Sequence, residues 1–188
     1  LFMKYNDIQT EINRLLQTLE DDRPDRIYSV SSAIQKLILK SPLPEELEKE
    51  IWTQYTLLEE KEGEGIKVAM RSSALGEDMP GASFAGQYRS ELNVSRENII
   101  SSYKNILASK YSPAAMTYRL NRGMRDESIA MCVGCISMVD AQSGGVAYSS
   151  DPIHHRNKDV VMSSVWGLPK PVVDGSSPSD FFKVSRDE

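Results

Sequence analysis

Arg71 stands where a short apolar run ends and a long stretch of small residues begins, and this junction constrains the fold more than any other part of the sequence. The run Ile66–Met70 is typical of a β-strand, and Ser72–Gln87 is rich in serine, alanine and glycine. A guanidinium binds phosphate oxygens in a planar fork, and small residues let backbone N–H groups approach the same oxygens. The sequence therefore predicts a strand that leads into an anion-binding loop.

The first third of the chain has the periodicity of helices. Apolar residues recur every three or four positions from Ile8 to Leu19, and Asn6 is the expected N-cap of this helix. A second helix is predicted over about 28–40, and a third runs from Pro44 to the flexible turn that follows Glu62. We expect residues 1–65 to form a helical N-terminal part.

The remainder, residues 66–188, alternates between strands and helices. Strands are predicted at 67–71, 87–94, 128–139, 145–149, 159–165 and 181–184, and helices at Ser95–Tyr111 and from Pro113 to Gly123. Asp140–Gly144 is interpreted as the turn of a hairpin between two of these strands, and 167–179 as loop. The pattern indicates the α+β class, with a helical first third and a mixed core.

Composition narrows the possible partners. The net charge is -5 and no basic stripe is visible, so we expect no nucleic acid partner. Without an apolar run near 18 residues or a signal segment, we expect no membrane and a cytoplasmic location. The chain begins at Leu1 and ends in charged residues, which favours a piece of a longer protein.

The two cysteines, Cys132 and Cys135, allow a redox or metal pair by their spacing. They lie in an apolar run that favours a strand, where positions i and i+3 point to opposite faces. We therefore predict buried cysteines of a strand that do not act together.

Three stretches resemble one family of enzymes. The segment Val68–Val94 resembles the nucleotide-binding signature of the phosphoenolpyruvate synthase and pyruvate phosphate dikinase family. In the same order, Met138–Pro152 resembles the family's M-V, S-G-V and D-P segments, and Trp166–Phe181 resembles its W-G-L, V-V and P-D segments. The resemblance covers about residues 25–185 and is strong from residue 66 onward.

The resemblance implies an ATP-grasp-like fold that binds ATP with Mg²⁺. Arg71 matches the family arginine that contacts the phosphates, and Gly86 and Ser90 match positions beside the nucleotide. The other residues expected to contact ATP are Ser72, Ser73 and Gln87, and the acidic pair Glu77 and Asp78 is expected to hold the loop or its arginine.

The resemblance also implies a reaction. In the family, ATP donates phosphate to a histidine on a separate swivelling domain, which carries it to pyruvate on a further domain. The family's first lysine would lie before residue 1 and its metal-binding motif after residue 188, so no metal ligands are assigned here. His154 and His155 do not match the phosphorylated histidine and are interpreted as solvated. We expect the 188 residues alone to bind ATP weakly and to catalyse nothing.

Two alternatives stay open. A related phosphotransferase could use the same domain with another acceptor, such as an antibiotic or a glucan. The other alternative is a non-catalytic nucleotide sensor or interaction module. It is suggested by three departures from the family pattern: Ile136 replaces a common glutamine, and Pro169 and Lys170 replace a glycine and a glutamate.

Overall fold

The computed structural model describes residues 2–19, 24–75, 86, 88–154 and 158–186. The contacts of the chain form two compact units, Leu1–Met138 and Val139–Glu188. The first unit contains the helices α1 to α6 and the strands β1 to β3, and the second contains β4 to β6 and α7. In chain order the elements are α1 (Phe2–Tyr5), α2 (Gln9–Gln17), α3 (Pro24–Lys40), α4 (Glu45–Glu62), β1 (Val68–Ala74), β2 (Ser90–Val94), α5 (Ile99–Ser109), α6 (Pro113–Asn121), β3 (Met131–Ser137), β4 (Ser143–Tyr148), β5 (Val160–Trp166), α7 (Lys170–Asp174) and β6 (Asp180–Val184).

The helices of the first unit form where apolar side chains recur at helical spacing. Ile12, Ile34 and Ile38 are fully buried together, and Tyr111 packs in the same cluster. The predicted cap at Asn6 is wrong: its side chain donates to the carbonyl oxygens of Phe2 and Pro42, and the first helix ends there. The α+β class and the helical N-terminal part are confirmed.

The sheet of the first unit has the order β2-β1-β3, with both outer strands antiparallel to β1. Helices α4 and α5 cover one face, where Tyr55, Val68 and Ile106 belong to one buried cluster. Strand β1 is longer than predicted and begins one residue later. A second cluster on Ala74 and Ile129 supports the end of β1. The core therefore lies between this sheet and its helices.

Strand β2 contains an irregularity that the sequence pattern does not reveal. Arg71 pairs with Ser90 and Met70 with Glu91, but Val68 pairs with Val94, so one residue is inserted. Asn93 takes a positive φ of 57° at this point, a conformation that asparagine tolerates better than most residues. Simple alternation along the predicted strand 87–94 places Ser90 and Val94 on one face. That prediction is wrong, because the inserted residue turns Val94 to the other face, where it is buried under the helices.

The second unit is a three-stranded antiparallel sheet in the order β4-β5-β6. The predicted hairpin between β3 and β4 is wrong, since β3 pairs with β1 and β4 pairs with β5. The predicted turn Asp140–Gly144 therefore contains the end of the connection from β3 and the first two residues of β4. The predicted loop after Gly167 contains the short helix α7. The division of the chain into a helical part, residues 1–65, and a mixed core, residues 66–188, of one domain stays a prediction.

Gly145 on β4 is required by close packing against the neighbouring strand. A Cβ at this position would overlap the main-chain oxygen of Ser163 on β5. Because backbone atoms cannot move aside cheaply, we expect Gly145→Ala to destabilise the second unit by about 1–3 kcal/mol, the range of overpacked sites. Hydrogen exchange of the β4 and β5 amides in the variant measures this loss.

Gly134→Ala provides the matched control, because a Cβ there would lie 3.9 Å from the Arg71 carbonyl oxygen, an ordinary contact. We expect its amides to exchange as in the unmodified chain. Equal protection of β4 in both variants would contradict the packing argument.

Candidate functional site

The two faces of the β2-β1-β3 sheet differ in their surroundings. Helices α4 and α5 cover one face, and the opposite face, which we call the open face, carries alternate residues of each strand. The open face contains Ala69, Arg71 and Ser73 of β1, Cys132, Gly134 and Ile136 of β3, and Ser90 of β2.

Arg71 lies on the middle strand of this face. Its backbone pairs with Ser90 on one side and with Gly134 on the other, so a hydroxyl and a position without a side chain flank the guanidinium. Arg71 is exposed, and within the described ranges no carboxylate lies at ion-pair distance from it. A cation in this position is available to an anion from outside the sheet.

The two serines after Arg71 point in opposite directions. Ser73 is exposed on the open face and pairs with Cys132, two residues along β1 from Arg71. Ser72 is partly buried on the helix face, opposite Val133. The structure therefore brings the side chains of Arg71, Ser73 and Ser90 to one face. The Ser72 side chain points to the other face, so only its main chain can reach the open face.

The loop after β1 is described only in part. Gly86 is exposed with a positive φ of 74°, a conformation that favours glycine. Gln87, Glu77 and Asp78 lie outside the described residues. Tyr88 packs against the cluster of Ala74 and Ile129, so the chain returns from the loop to the end of β1.

Glu91 connects β2 to helix α5. This role is not predicted by the sequence analysis. Its carboxylate accepts hydrogen bonds from Ser102 at 2.5 Å and Asn105 at 3.2 Å, and it pairs with Arg89 at 2.6 Å. Because Glu91 follows Ser90 directly, this network positions the hydroxyl beside Arg71. The only sequence signal for this role of Glu91 is an acidic residue within a predicted strand, followed by polar residues in the next helix.

The cysteines are exposed, so their predicted burial is wrong. They lie on β3, an outer strand of the sheet as described, and one of them is on the open face. Their side chains point to opposite faces of the strand, as predicted. Ile136 also lies on the open face and is 54% exposed.

In the second unit, Lys170 and His154, which the sequence analysis named, each contact a carboxylate close by in the sequence. Lys170 lies 2.7 Å from Asp174 on α7, and this hydrogen bond lowers the pKa of Asp174 to about 2. Asp151 accepts hydrogen bonds from the backbone N–H groups of His154 and Ile153, which lower its pKa. His154 is exposed, as predicted, and His155 lies outside the described residues.

The described residues offer neither a cluster of metal ligands nor a helix suited to crossing a membrane. In the part of the chain that the structure describes, no group of three His, Cys, Asp or Glu side chains is placed to hold a metal ion. The residues of the open face therefore do not fit a Mg²⁺ site by themselves. No described helix combines the length and apolar character that crossing a membrane requires.

Comparison with known proteins identifies the domain. The family model described as the AMP/ATP-binding domain of pyruvate phosphate dikinase matches residues 1–188. A probable phosphoenolpyruvate synthase of Methanocaldococcus jannaschii is 33% identical over 98% of this chain and 16% of its own length. The phosphoenolpyruvate synthase of Neisseria meningitidis is 32% identical over 98% of the chain and 24% of its own length.

A relative with a different name also matches. The rifampicin phosphotransferase of Bacillus cereus is 32% identical over 96% of this chain and 20% of its own length. The chain thus spans between about a sixth and a quarter of the length of these relatives. The family model covers every residue, and the chain belongs to the pyruvate phosphate dikinase AMP/ATP-binding domain family.

Proposed function

We propose that this domain supplies the ATP site of a phosphotransferase of the phosphoenolpyruvate synthase type, with Arg71 on the phosphates. One observation carries the proposal: Arg71 is an exposed cation on the middle strand of the open face, flanked by Ser90 and Gly134. The polyphosphate of ATP needs such a cation, because phosphoryl transfer depends on positioning and charge neutralisation more than on covalent chemistry.

Each residue of the face then has a defined task. The Arg71 guanidinium donates a fork of hydrogen bonds to phosphate oxygens, and the Ser73 and Ser90 hydroxyls donate from the same face. Gly134 leaves space beside the guanidinium, and Glu91 holds β2 in register through Ser102 and Asn105. The network does not itself contact the nucleotide; it positions Ser90.

The further steps extend beyond these residues. In this proposal ATP phosphorylates a histidine on a swivelling domain of the intact protein, and that histidine delivers phosphate to pyruvate on another domain. Mg²⁺ would neutralise phosphate charge, with ligands that are not among the residues of the open face. The names of the phosphoenolpyruvate synthases among the relatives support this acceptor.

A second acceptor has support of its own. The relative named rifampicin phosphotransferase carries the same domain at similar identity. If this acceptor class applied, ATP would bind the open face in the same way and the phosphate would pass to an antibiotic. Incubating the intact protein with ATP and either pyruvate or rifampicin, and measuring phosphorylated product, separates the two reactions.

Gly134→Leu tests the nucleotide site itself. A leucine side chain at this position projects from the open face beside Arg71, while its Cβ makes only an ordinary contact with the Arg71 carbonyl oxygen. We expect the ATP affinity of the intact protein to fall at least about tenfold, because the leucine side chain fills space that the nucleotide would occupy beside Arg71. Calorimetric titration with ATP and Mg²⁺ measures it.

Leu57→Ala provides a control, since Leu57 lies exposed on α4. Its ATP affinity should equal that of the unmodified protein. If Gly134→Leu binds ATP as tightly as the control, the nucleotide does not lie on the open face.

A further inference from the structure

The first residue of β2 lies beside Arg71, and the strand that carries it is short. Ser90 pairs with Arg71, and β2 ends at Val94. One residue is inserted near Asn93, so the pairing of β2 with β1 loses its regular register soon after it begins. Pairing over so short a length specifies the position of a strand poorly, and the start of β2 needs contacts from outside the sheet.

A buried hydroxyl on helix α5 supplies one such contact. The backbone N–H of Arg89, the residue before Ser90, donates to the Oγ of Ser109 at 3.2 Å. The Ser109 hydroxyl in turn donates to the Ile106 carbonyl oxygen at 2.7 Å, a local bond that serines in helices commonly make. Because Ser109 is only 8% exposed, its hydroxyl has a fixed position in the helix. The start of β2 is therefore tied to α5 as well as to β1.

Ser109 belongs to a polar stripe of α5, which we define as Ser102, Asn105 and Ser109. Spacings of three and four residues place them on one side of the helix. The first two contact the Glu91 carboxylate, and the third contacts the backbone that precedes Ser90. Hydrogen bonds depend on distance and angle, whereas apolar contacts have no direction. The polar stripe therefore fixes β2 both before and after Ser90.

We propose that Ser109 is a positioning residue for the nucleotide site: it holds the start of β2 so that the Ser90 hydroxyl lies beside the Arg71 guanidinium and donates to the same polyphosphate. This inference rests on the proposed function. Helix α5 covers the face opposite the open face, so Ser109 acts through the backbone of Arg89 and does not touch the nucleotide. When the arrangement that binds a ligand is less populated, the apparent affinity falls by the same fraction.

Ser109→Ala removes the acceptor and places a residue that favours helices in α5. Arg89 is exposed, so water replaces the lost partner, and we expect the melting temperature to change by less than about 3 °C. The affinity of the intact protein for ATP and for inorganic tripolyphosphate should each fall about three- to tenfold, the factor that corresponds to one net hydrogen bond. Calorimetric titration with each ligand measures both affinities.

A double-mutant cycle shows whether Ser109 acts through Ser90. Ser90→Ala removes the hydroxyl that the proposed function places on the phosphates. If Ser109 positions that hydroxyl, adding Ser109→Ala to Ser90→Ala should weaken ATP binding by no more than about twofold, because the two residues act as one unit. A loss from Ser109→Ala that is equally large with and without the Ser90 hydroxyl would overturn the inference, since independent effects add.

Ser109→Thr and Ser101→Ala are the controls. Threonine keeps a hydroxyl that bonds to the carbonyl oxygens of the preceding turn, so Ser109→Thr should recover affinity that Ser109→Ala loses. Ser101 is exposed on α5 and donates to the Asn98 carbonyl oxygen at 2.9 Å, so Ser101→Ala should bind both ligands as the unmodified protein does.

Unchanged affinity in Ser109→Ala, or an equal loss in Ser101→Ala, would also overturn the assignment of Ser109. If the unmodified protein binds neither ATP nor tripolyphosphate, the proposed function itself fails, so the two failures are distinguishable.

Discussion

Replacing Arg71 with alanine is expected to weaken ATP binding or turnover by the intact protein at least about tenfold, because a hydrogen bond to a charged group contributes about 1.5–3 kcal/mol. Arg71 is an exposed cation on the middle strand, so its removal takes away the positive charge at the centre of the open face. Titration with ATP gives the affinity, and initial rates give the turnover.

The conservative variant separates charge from geometry. Lysine keeps the charge but has no planar fork, so Arg71→Lys should recover part of the affinity and less of the turnover. An ammonium on a flexible stem cannot hold two phosphate oxygens in a fixed geometry while the bond breaks. Full recovery of both quantities would show that Arg71 acts only as a point charge.

An arginine elsewhere on the surface serves as the matched control. Arg14 on α2 is exposed and pairs with Glu11 at 2.6 Å, an ion pair of the kind that contributes little to stability. Arg14→Ala removes the same charge from the chain and should leave ATP affinity unchanged. If both arginine variants lose affinity equally, the effect is one of net charge and the site lies elsewhere.

The sequence predicted the elements of this site well because their signals are local. The apolar run before Arg71 and the periodic residues of α5, such as Ile99 and Ile106, determine a strand and a helix without reference to distant residues. Pro113 and Gly123 mark the start and end of α6 for similar local reasons. These predictions are confirmed.

Pairing between strands could not be predicted in the same way. β3 and β4 are close in sequence and look like a hairpin, yet each pairs with a strand more than ten residues away. The extra residue near Asn93 reverses which face Val94 occupies, and no alternation pattern encodes it. Partner and register depend on packing over the whole sheet, which also decides that Ile136 lies on the face of Arg71.

The buried charges around Asp126 are a further feature that sequence reading missed. Lys110 lies 3.0 Å and Arg119 3.6 Å from the Asp126 carboxylate, and the Tyr111 hydroxyl donates to it at 2.9 Å. Lys110, Arg119 and Tyr111 are all less than 9% exposed. The main chain continues from Asp126 into β3, whose start is held by the hydrogen bond from the Leu75 N–H to the Ala130 carbonyl oxygen.

Asp126→Asn is expected to destabilise the first unit by about 3–5 kcal/mol, because it leaves two buried cations without a negative charge. Urea unfolding followed by circular dichroism measures the loss. Glu127→Gln is the matched control: the neighbouring side chain is exposed, and its change should stay within about 0.5 kcal/mol. Lys110→Met in the Asp126→Asn background should recover part of the stability, since it removes one of the uncompensated charges.

The pH dependence gives a sharper test of the same cluster. Burial lowers the pKa of Lys110 from 10.5, and the Asp126 carboxylate opposes that effect. In Asp126→Asn the carboxylate is gone, so the pKa of Lys110 in the folded protein falls further. Between that lowered pKa and 10.5, the unfolded chain binds more protons than the folded chain. The free energy of unfolding of Asp126→Asn therefore rises with pH in this range. The deficit of Asp126→Asn should therefore shrink as the pH is raised from neutrality toward the Lys110 pKa of the unfolded chain. A deficit that stays constant over this range would show that the buried lysine does not account for the destabilisation.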